Sequence, residues 1–145
     1  MIKKAMLAHK YDEKRIDWSQ PVYIQPKLDG VRCLFTKDGA FSRAGKKFMN
    51  LAHIEVKLIP FFKQQPGVIL DGELYNHELK NDFEKIISLV RKQKPTADDR
   101  LEAAEMVQFH CYDFFSNDTH RLDYRTRMHV LVNADFYDKQ IKYVP

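Results

Sequence analysis

The sequence predicts an α+β fold with mixed, largely antiparallel sheets and packed helices. Three observations carry that prediction. Short strand-like runs are broken by turn signals such as Asp38-Gly39. Apolar stripes at helical spacing lie between them. The two kinds of segment intermix without a regular βαβ rhythm, so antiparallel pairing is expected.

Taken in order, Val22, Tyr23 and Ile24 form a first strand-like run that Pro26 breaks. Leu28 and a turn at Gly30 lead into the run Val31 to Thr36. Asp38-Gly39 is a two-residue hairpin signal, with Ala40 to Ser42 returning. Residues 50 to 64 place Leu51, Ile54, Leu58, Ile59 and Phe62 on one helical face, with Asn50 as N-cap. Pro60 should kink or shorten that helix. Val68, Ile69 and Leu70 form a buried-strand run that leaves through Asp71-Gly72. Asn81 with Glu84 resembles a capping box, and Phe83, Ile86, Ile87 and Val90 supply the apolar stripe behind it. Lys92 and Lys94 close that helix before Pro95, where cations suit the helix dipole. Residues 96 to 104 are charged and alanine-rich, a surface connection or a short helix. Met106 to Phe115 is aromatic and β-favouring, a core strand. Asp123 caps a last helix carrying Tyr124, Met128, Leu131 and Val132, and Ile141 to Val144 starts another strand.

A chain of 145 residues with 44% hydrophobic and 30% charged residues is one globular domain able to bury a core without staples. No apolar stretch approaches the roughly 20 residues of a membrane helix. The N-terminal text has no apolar signal-peptide region. Two isolated cysteines, Cys33 and Cys111, read as buried reduced thiols, and no Cys/His cluster suits zinc. The net charge of +4 is compatible with nucleic acid or nucleotide phosphates. The missing export signal and the free cysteines suit a cytoplasm.

The sharpest feature is Lys27-Leu28-Asp29-Gly30-Val31-Arg32, a K-x-D-G-x-R pattern between strand-like runs. A lysine amine is a nucleophile only when neutral. Its reference pKa of about 10.4 makes that state cost about 4 to 5 kcal/mol at pH 7. Burial and neighbouring cations reduce the cost, and Arg32 supplies a permanent cation nearby. Its planar fork also suits phosphate. The plain alternative is a polar β-turn with two surface bases. Three more segments carry candidates of the same kind. Ser42-Arg43-Ala44-Gly45-Lys46 offers two cations, and read alone it is a solvated turn. Leu70-Asp71-Gly72-Glu73-Leu74 offers a carboxylate apt for ribose hydroxyls or Mg²⁺, and read alone it is a hairpin turn. Phe109 to Phe115 offers aromatic faces, and read alone it is core.

K-x-D-G-x-R is the signature of covalent nucleotidyltransferases. With Met6-Leu7-Ala8 and Tyr23 to Arg32, the chain resembles short ATP-dependent DNA ligases of bacteriophages and bacteria. The resemblance implies a DNA ligase adenylation fold spanning residues 1–145 as a partial domain, without an oligonucleotide-binding barrel. It implies that Lys27 attacks the α-phosphate of ATP, leaving a lysyl-AMP phosphoramidate. It makes Gln25 an adenine contact at a position where the family commonly has glutamate, and Arg32 a ligand of AMP or nick. It assigns Glu73 to the ribose or to Mg²⁺, Tyr112 to stacking on adenine, and Arg43 and Lys46 to phosphates of nicked duplex DNA. Leu122, Arg125, Arg127 and Leu131 fit the family's next helix.

The family pattern continues with an E-G-x-x-x-K segment and a lysine-rich segment, and this chain contains no Glu-Gly dipeptide. The sequence therefore reads as the N-terminal portion of a ligase, impaired alone, with a second chain as one source of the missing motifs. RNA ligation, a capping-type guanylyltransferase, and a non-catalytic nucleotide- or DNA-binding fragment are the alternatives it leaves open.

Overall fold

The computed structural model describes residues 4–118 and 121–145. Its strands are β1 (Val31–Thr36), β2 (Gly39–Phe41), β3 (Ile69–Tyr75), β4 (Gln108–Phe115) and β5 (Ile141–Tyr143). Its helices are α1 (Ala52–Gln64), α2 (Phe83–Val90), α3 (Ala97–Met106) and α4 (Tyr124–Val132). The strands form one sheet in the order β2-β1-β3-β4-β5. All neighbours are antiparallel except β4 and β5, which run parallel because α4 carries the chain back between them. The α+β class expected from the sequence is the one observed.

Local chemistry explains most boundaries. Thr36 pairs with Gly39, so Lys37 and Asp38 form the hairpin loop, one residue earlier than the Asp38-Gly39 signal suggests. Gly39, at φ 117°, opens the returning strand in a conformation that L side chains resist. Asp123 Oδ1 accepts from Thr126 N at 2.7 Å and caps α4 as expected. Thr96 and Asp99 make a reciprocal capping box at 2.9 and 3.1 Å, which turns residues expected to be a connection or short helix into the ten-residue α3.

Other expectations fail for identifiable reasons. Asn50 does not cap α1. It is buried, and its amide donates to Leu89 O (3.0 Å) and Asp99 O (3.2 Å), tying α1 to the starts and ends of its neighbours. Pro60 stays inside an unbroken α1. The carbonyl it leaves without a donor belongs to Val56, on the exposed face, where water can replace the bond. Helix α2 begins at Phe83, and neither Asn81 nor Asp82 caps it through a side chain. Val22, Tyr23 and Ile24 lie outside every strand, with exposed side chains.

The largest correction concerns β3. It does not end at Asp71-Gly72 but runs through it as the central strand, with β1 on one side and β4 on the other. Gly72 is there for closeness rather than for turning. A Cβ on it would lie 2.4 Å from His110 O and 2.5 Å from the Phe109 ring. On one face of the sheet Cys33, Phe35, Leu70, Leu74, Phe109 and Cys111 join Ile54, Leu58 and Phe62 of α1 and Leu89 and Val90 of α2 in a single core. Phe35 and Phe109 meet edge to face with centroids 4.6 Å apart. Truncating Phe109 to alanine should cost about 3–5 kcal/mol. Cys33 and Cys111 are buried free thiols, as expected.

Candidate functional site

The alternation of β1 and β3 sends Arg32, Asp71 and Glu73 to the face opposite this core. Strand β4 would send only every second residue there, but its register shifts. Asp71 pairs with Asp113 while Gly72 pairs with Cys111, so Tyr112 is an extra residue, a β-bulge. The bulge breaks the period of two, and Tyr112 and Asp113 both reach the same cavity.

That cavity has a volume of about 730 Å³ and is bounded by four parts of the chain. The sheet gives Arg32, Asp71, Tyr112 and Asp113, and α4 gives Tyr124 and Arg127. Gln25 comes from the segment before β1, and the N-terminal residues 4–8 form the remaining wall. Its size lies within the range of about 300–1,000 Å³ usual for small-ligand sites.

Arginines organise it. Arg32 grips Asp71 at two points, Nε to Oδ1 at 3.0 Å and Nη2 to Oδ2 at 2.6 Å. Its third edge donates to Met6 O at 2.7 Å. Arg43 Nε donates to Ala5 O at 2.9 Å. These two arginines therefore hold the N-terminal strap in place. On the other side Arg127 grips Asp113 with Nε at 2.8 Å and Nη2 at 3.1 Å, and its Nη1 donates to Leu122 O at 2.6 Å.

Burial sets the electrostatics. Desolvation pushes the Asp71 carboxyl above its ordinary value, against the opposing pull of the Arg32 contacts. Arg32 is less buried, so the same pair holds it more firmly protonated. Burial also raises Glu73, offset by the hydrogen bond from Gly30 N to its Oε1 at 3.2 Å. The Tyr112 phenol is pushed far up by burial.

The residues expected at the site divide into two groups. Gln25, Arg32 and Tyr112 line the cavity together. Gln25 Nε2 donates to Val144 O at 3.2 Å. Lys27, Glu73, Arg43 and Lys46 are not among its lining residues. Lys27 is not buried, contrary to the burial argument for its activation. Its side chain is 90% exposed and its Nζ lies 3.3 Å from Asp29 Oδ1. It is nevertheless anchored next to the sheet, because Gly30 sits on Glu73, and the Lys27 charge is felt at Glu73. Lys46 is exposed at the turn closed by Ser42 N and Lys46 O. Sequence reasoning misses Asp113 and the role of Arg127. The available signal was an ionised residue inside an apolar strand, which requires a partner. Among the described residues no cluster of three or more His, Cys, Asp or Glu side chains is arranged to hold a metal ion. Mg²⁺ commonly relies on one or two carboxylates plus substrate phosphates and water, and Glu73 suits that partial role.

The sheet thus carries the N-terminal strap over a charged cavity of nucleotide size. A solved chain described as Pmar-Lig_PreS3 matches 83% of this chain and 29% of its own length, at TM-score 0.59 and 23% identity. The related Pmar-Lig_Pre. matches over the same shares at TM-score 0.58 and 24% identity. A structure from an analysis of DNA binding with a minimal scaffold in Lig E DNA ligases matches all of this chain and 51% of its own, at TM-score 0.71 and 21% identity. No curated protein matches the chain. The family model for the ATP dependent DNA ligase domain matches residues 5–142, and the chain belongs to that family.

Proposed function

We propose that the chain performs the first step of DNA ligation, self-adenylylation at Lys27, for sealing nicks in duplex DNA. The observation that carries this reading is that the family match includes Lys27 in its K-x-D-G-x-R setting, docked through Gly30 on Glu73 beside the cavity. ATP would place its adenosine in the cavity, with the base against Tyr112. The Gln25 amide nitrogen is occupied by Val144 O, which leaves its oxygen to accept from the adenine amino group. Lys27 must leave Asp29 and present a neutral amine to the α-phosphorus. A P–N bond forms, the bond to pyrophosphate breaks, and the amine's proton passes to solvent or a nearby carboxylate such as Asp29. Mg²⁺, held by Glu73 and the phosphates, would supply charge neutralisation for the leaving group. Arg43 and Lys46 would then meet phosphates of the nicked strand, in a bacterial cytoplasm.

A second reading is that this chain needs a partner polypeptide to ligate. The observation favouring it is that Lys27 lies outside the cavity, and that Arg32 and Arg43 are engaged by the chain's own carbonyls. The test is incubation with α-phosphate-labelled ATP and Mg²⁺, detected after denaturation, with Lys27→Ala alongside. A labelled band lost in the variant supports the first reading. Labelling by GTP instead of ATP, or transfer to RNA ends and not to nicked DNA, would overturn the substrate assignment.

A further inference from the structure

Gln25 differs from a glutamate at the same place in one respect that matters for reading a base. A carboxylate presents acceptors whichever way it turns. An amide presents an acceptor or a donor, depending on a half-turn of its end. Adenine offers an exocyclic amine as donor, and guanine offers an exocyclic oxygen as acceptor. A glutamine free to turn therefore serves either purine. The surroundings of Gln25 remove that freedom. Its Nε2 donates to Val144 O at 3.2 Å and lies 4.0 Å from Met128 Sδ, so both neighbours of the nitrogen are acceptors. A half-turn would set Oε1 against both of them. Neither neighbour is free to step aside. Val144 is 2% exposed, and its N–H donates to Cys111 O at 2.9 Å, which continues the pairing of β4 and β5 past Tyr143. Met128 is buried on α4.

We propose that Val144 and Met128 are positioning residues that lock the Gln25 amide with its oxygen towards the base, and that this lock makes the cavity select adenine over guanine nucleotides. The base selection rests on the adenylylation reading, which places the base against Tyr112. The orientation of the amide does not. The Val144 carbonyl does most of the holding, since a thioether is a weak acceptor. With Oε1 fixed towards the base, ATP supplies the amine that it accepts from. GTP would bring two acceptors together and leave both without a donor. The choice of purine is thus made by groups 103 and 119 residues further along the chain than the side chain that executes it.

The experiment has two arms, both on the full chain. In the first, NMR of the Gln25 side-chain amide without nucleotide should place its NH2 protons against the Met128 methyl group. Val144→Pro, which removes the N–H that anchors the carbonyl, should weaken that contact. In the second, displacement of a fluorescent ATP analogue gives the affinities for ATP and GTP. Wild type should prefer ATP by about a hundredfold, and Val144→Pro should cut the preference to below about tenfold. Gln25→Glu should keep the preference with either residue at position 144, because a carboxylate needs no orienting. That rescue separates a positioning role from general damage to the cavity. Met128→Leu removes the thioether alone and should lower the preference in the same direction, which keeps the test open if Val144→Pro fails to fold. An amide nitrogen aimed into the cavity overturns the proposal. So does a preference unmoved in Val144→Pro and Met128→Leu, one that falls as far in Gln25→Glu/Val144→Pro as in Val144→Pro, or a wild type that binds neither nucleotide. A wild type that binds ATP without forming the adduct refutes the adenylylation step and leaves the lock standing, so the two readings fail separately.

Discussion

Gly30→Ala tests how the Lys27 segment is held. A Cβ at position 30 would lie 2.2 Å from Leu74 O and 2.8 Å from Glu73 Cγ. Leu74 cannot yield, because it is fully buried in the central strand. Residue 30 must therefore lift. Restoring a C···O contact of about 3.3 Å requires a shift of about 1 Å. That same shift stretches the Gly30 N–Glu73 Oε1 bond beyond hydrogen-bonding range from its present 3.2 Å. Overpacking of this kind costs about 1–3 kcal/mol. A lost hydrogen bond to a charged group adds about 1.5–3 kcal/mol. We expect a net loss of about 3 kcal/mol in urea denaturation, and about a hundredfold slower adduct formation from the displaced Lys27. Gly67→Ala is the matched control. It has open space around it and no positive φ, so it should be neutral or stabilise by about 0.4–1 kcal/mol. If Gly30→Ala were as stable and as active as Gly67→Ala, the docking of Gly30 on Glu73 would not be what positions Lys27.

Three further outcomes follow from other parts of the fold. Burial holds the His110 value down to about 4 against an ordinary 6.5, so the unfolded chain binds its proton first. Stability should therefore fall as pH drops from about 6.5 towards 4, and His110→Gln should flatten that limb in urea titrations at several pH values. Thr96→Ala should cost about 1 kcal/mol through the lost capping box, with Thr96→Ser restoring most of it in thermal melts. Cys33 and Cys111 are fully buried with thiols pushed well up, so a thiol reagent at pH 7 should react only on unfolding. A fast-reacting equivalent in the native protein would contradict that burial.

The hairpin at residues 36–39, the stripe of α1, the cap of α4 and the aromatic core strand β4 were legible because each is a local pattern. Residue types there record an environment set within a few positions of the chain. The Asp71-Gly72 dipeptide misleads for the opposite reason. The same two residues mark a turn when glycine is needed for its conformational freedom, and a central strand when it is needed for its missing Cβ. Only the neighbours His110 and Phe109, distant in sequence, decide between them. Asn50 is a similar case. A residue that commonly caps helices is used to bridge Leu89 O and Asp99 O, a choice made by packing and invisible to local propensity.

The site departs from pattern where function would require it. Strict alternation along β4 puts Tyr112 and Asp113 on opposite faces, and reading the strand that way yields an aromatic candidate and nothing beside it. The bulge adds Tyr112 as the unpaired residue and turns both side chains towards the cavity. Without it Asp113 would enter the core, where an ionised carboxylate could not be accommodated without a partner. With it Asp113 meets Arg127, and the aromatic face and the clamped charges share one floor. The bulge, the two close-packed glycines and the two clamped aspartates all lie within a few residues of one another across three strands. Each breaks a local rule, and each is compensated by a contact remote in sequence, as Gly30 is by Glu73 and Asp71 by Arg32. Such compensation cannot arise from independent surface turns. It requires these segments to be specified together, which is the physical argument for treating them as one site.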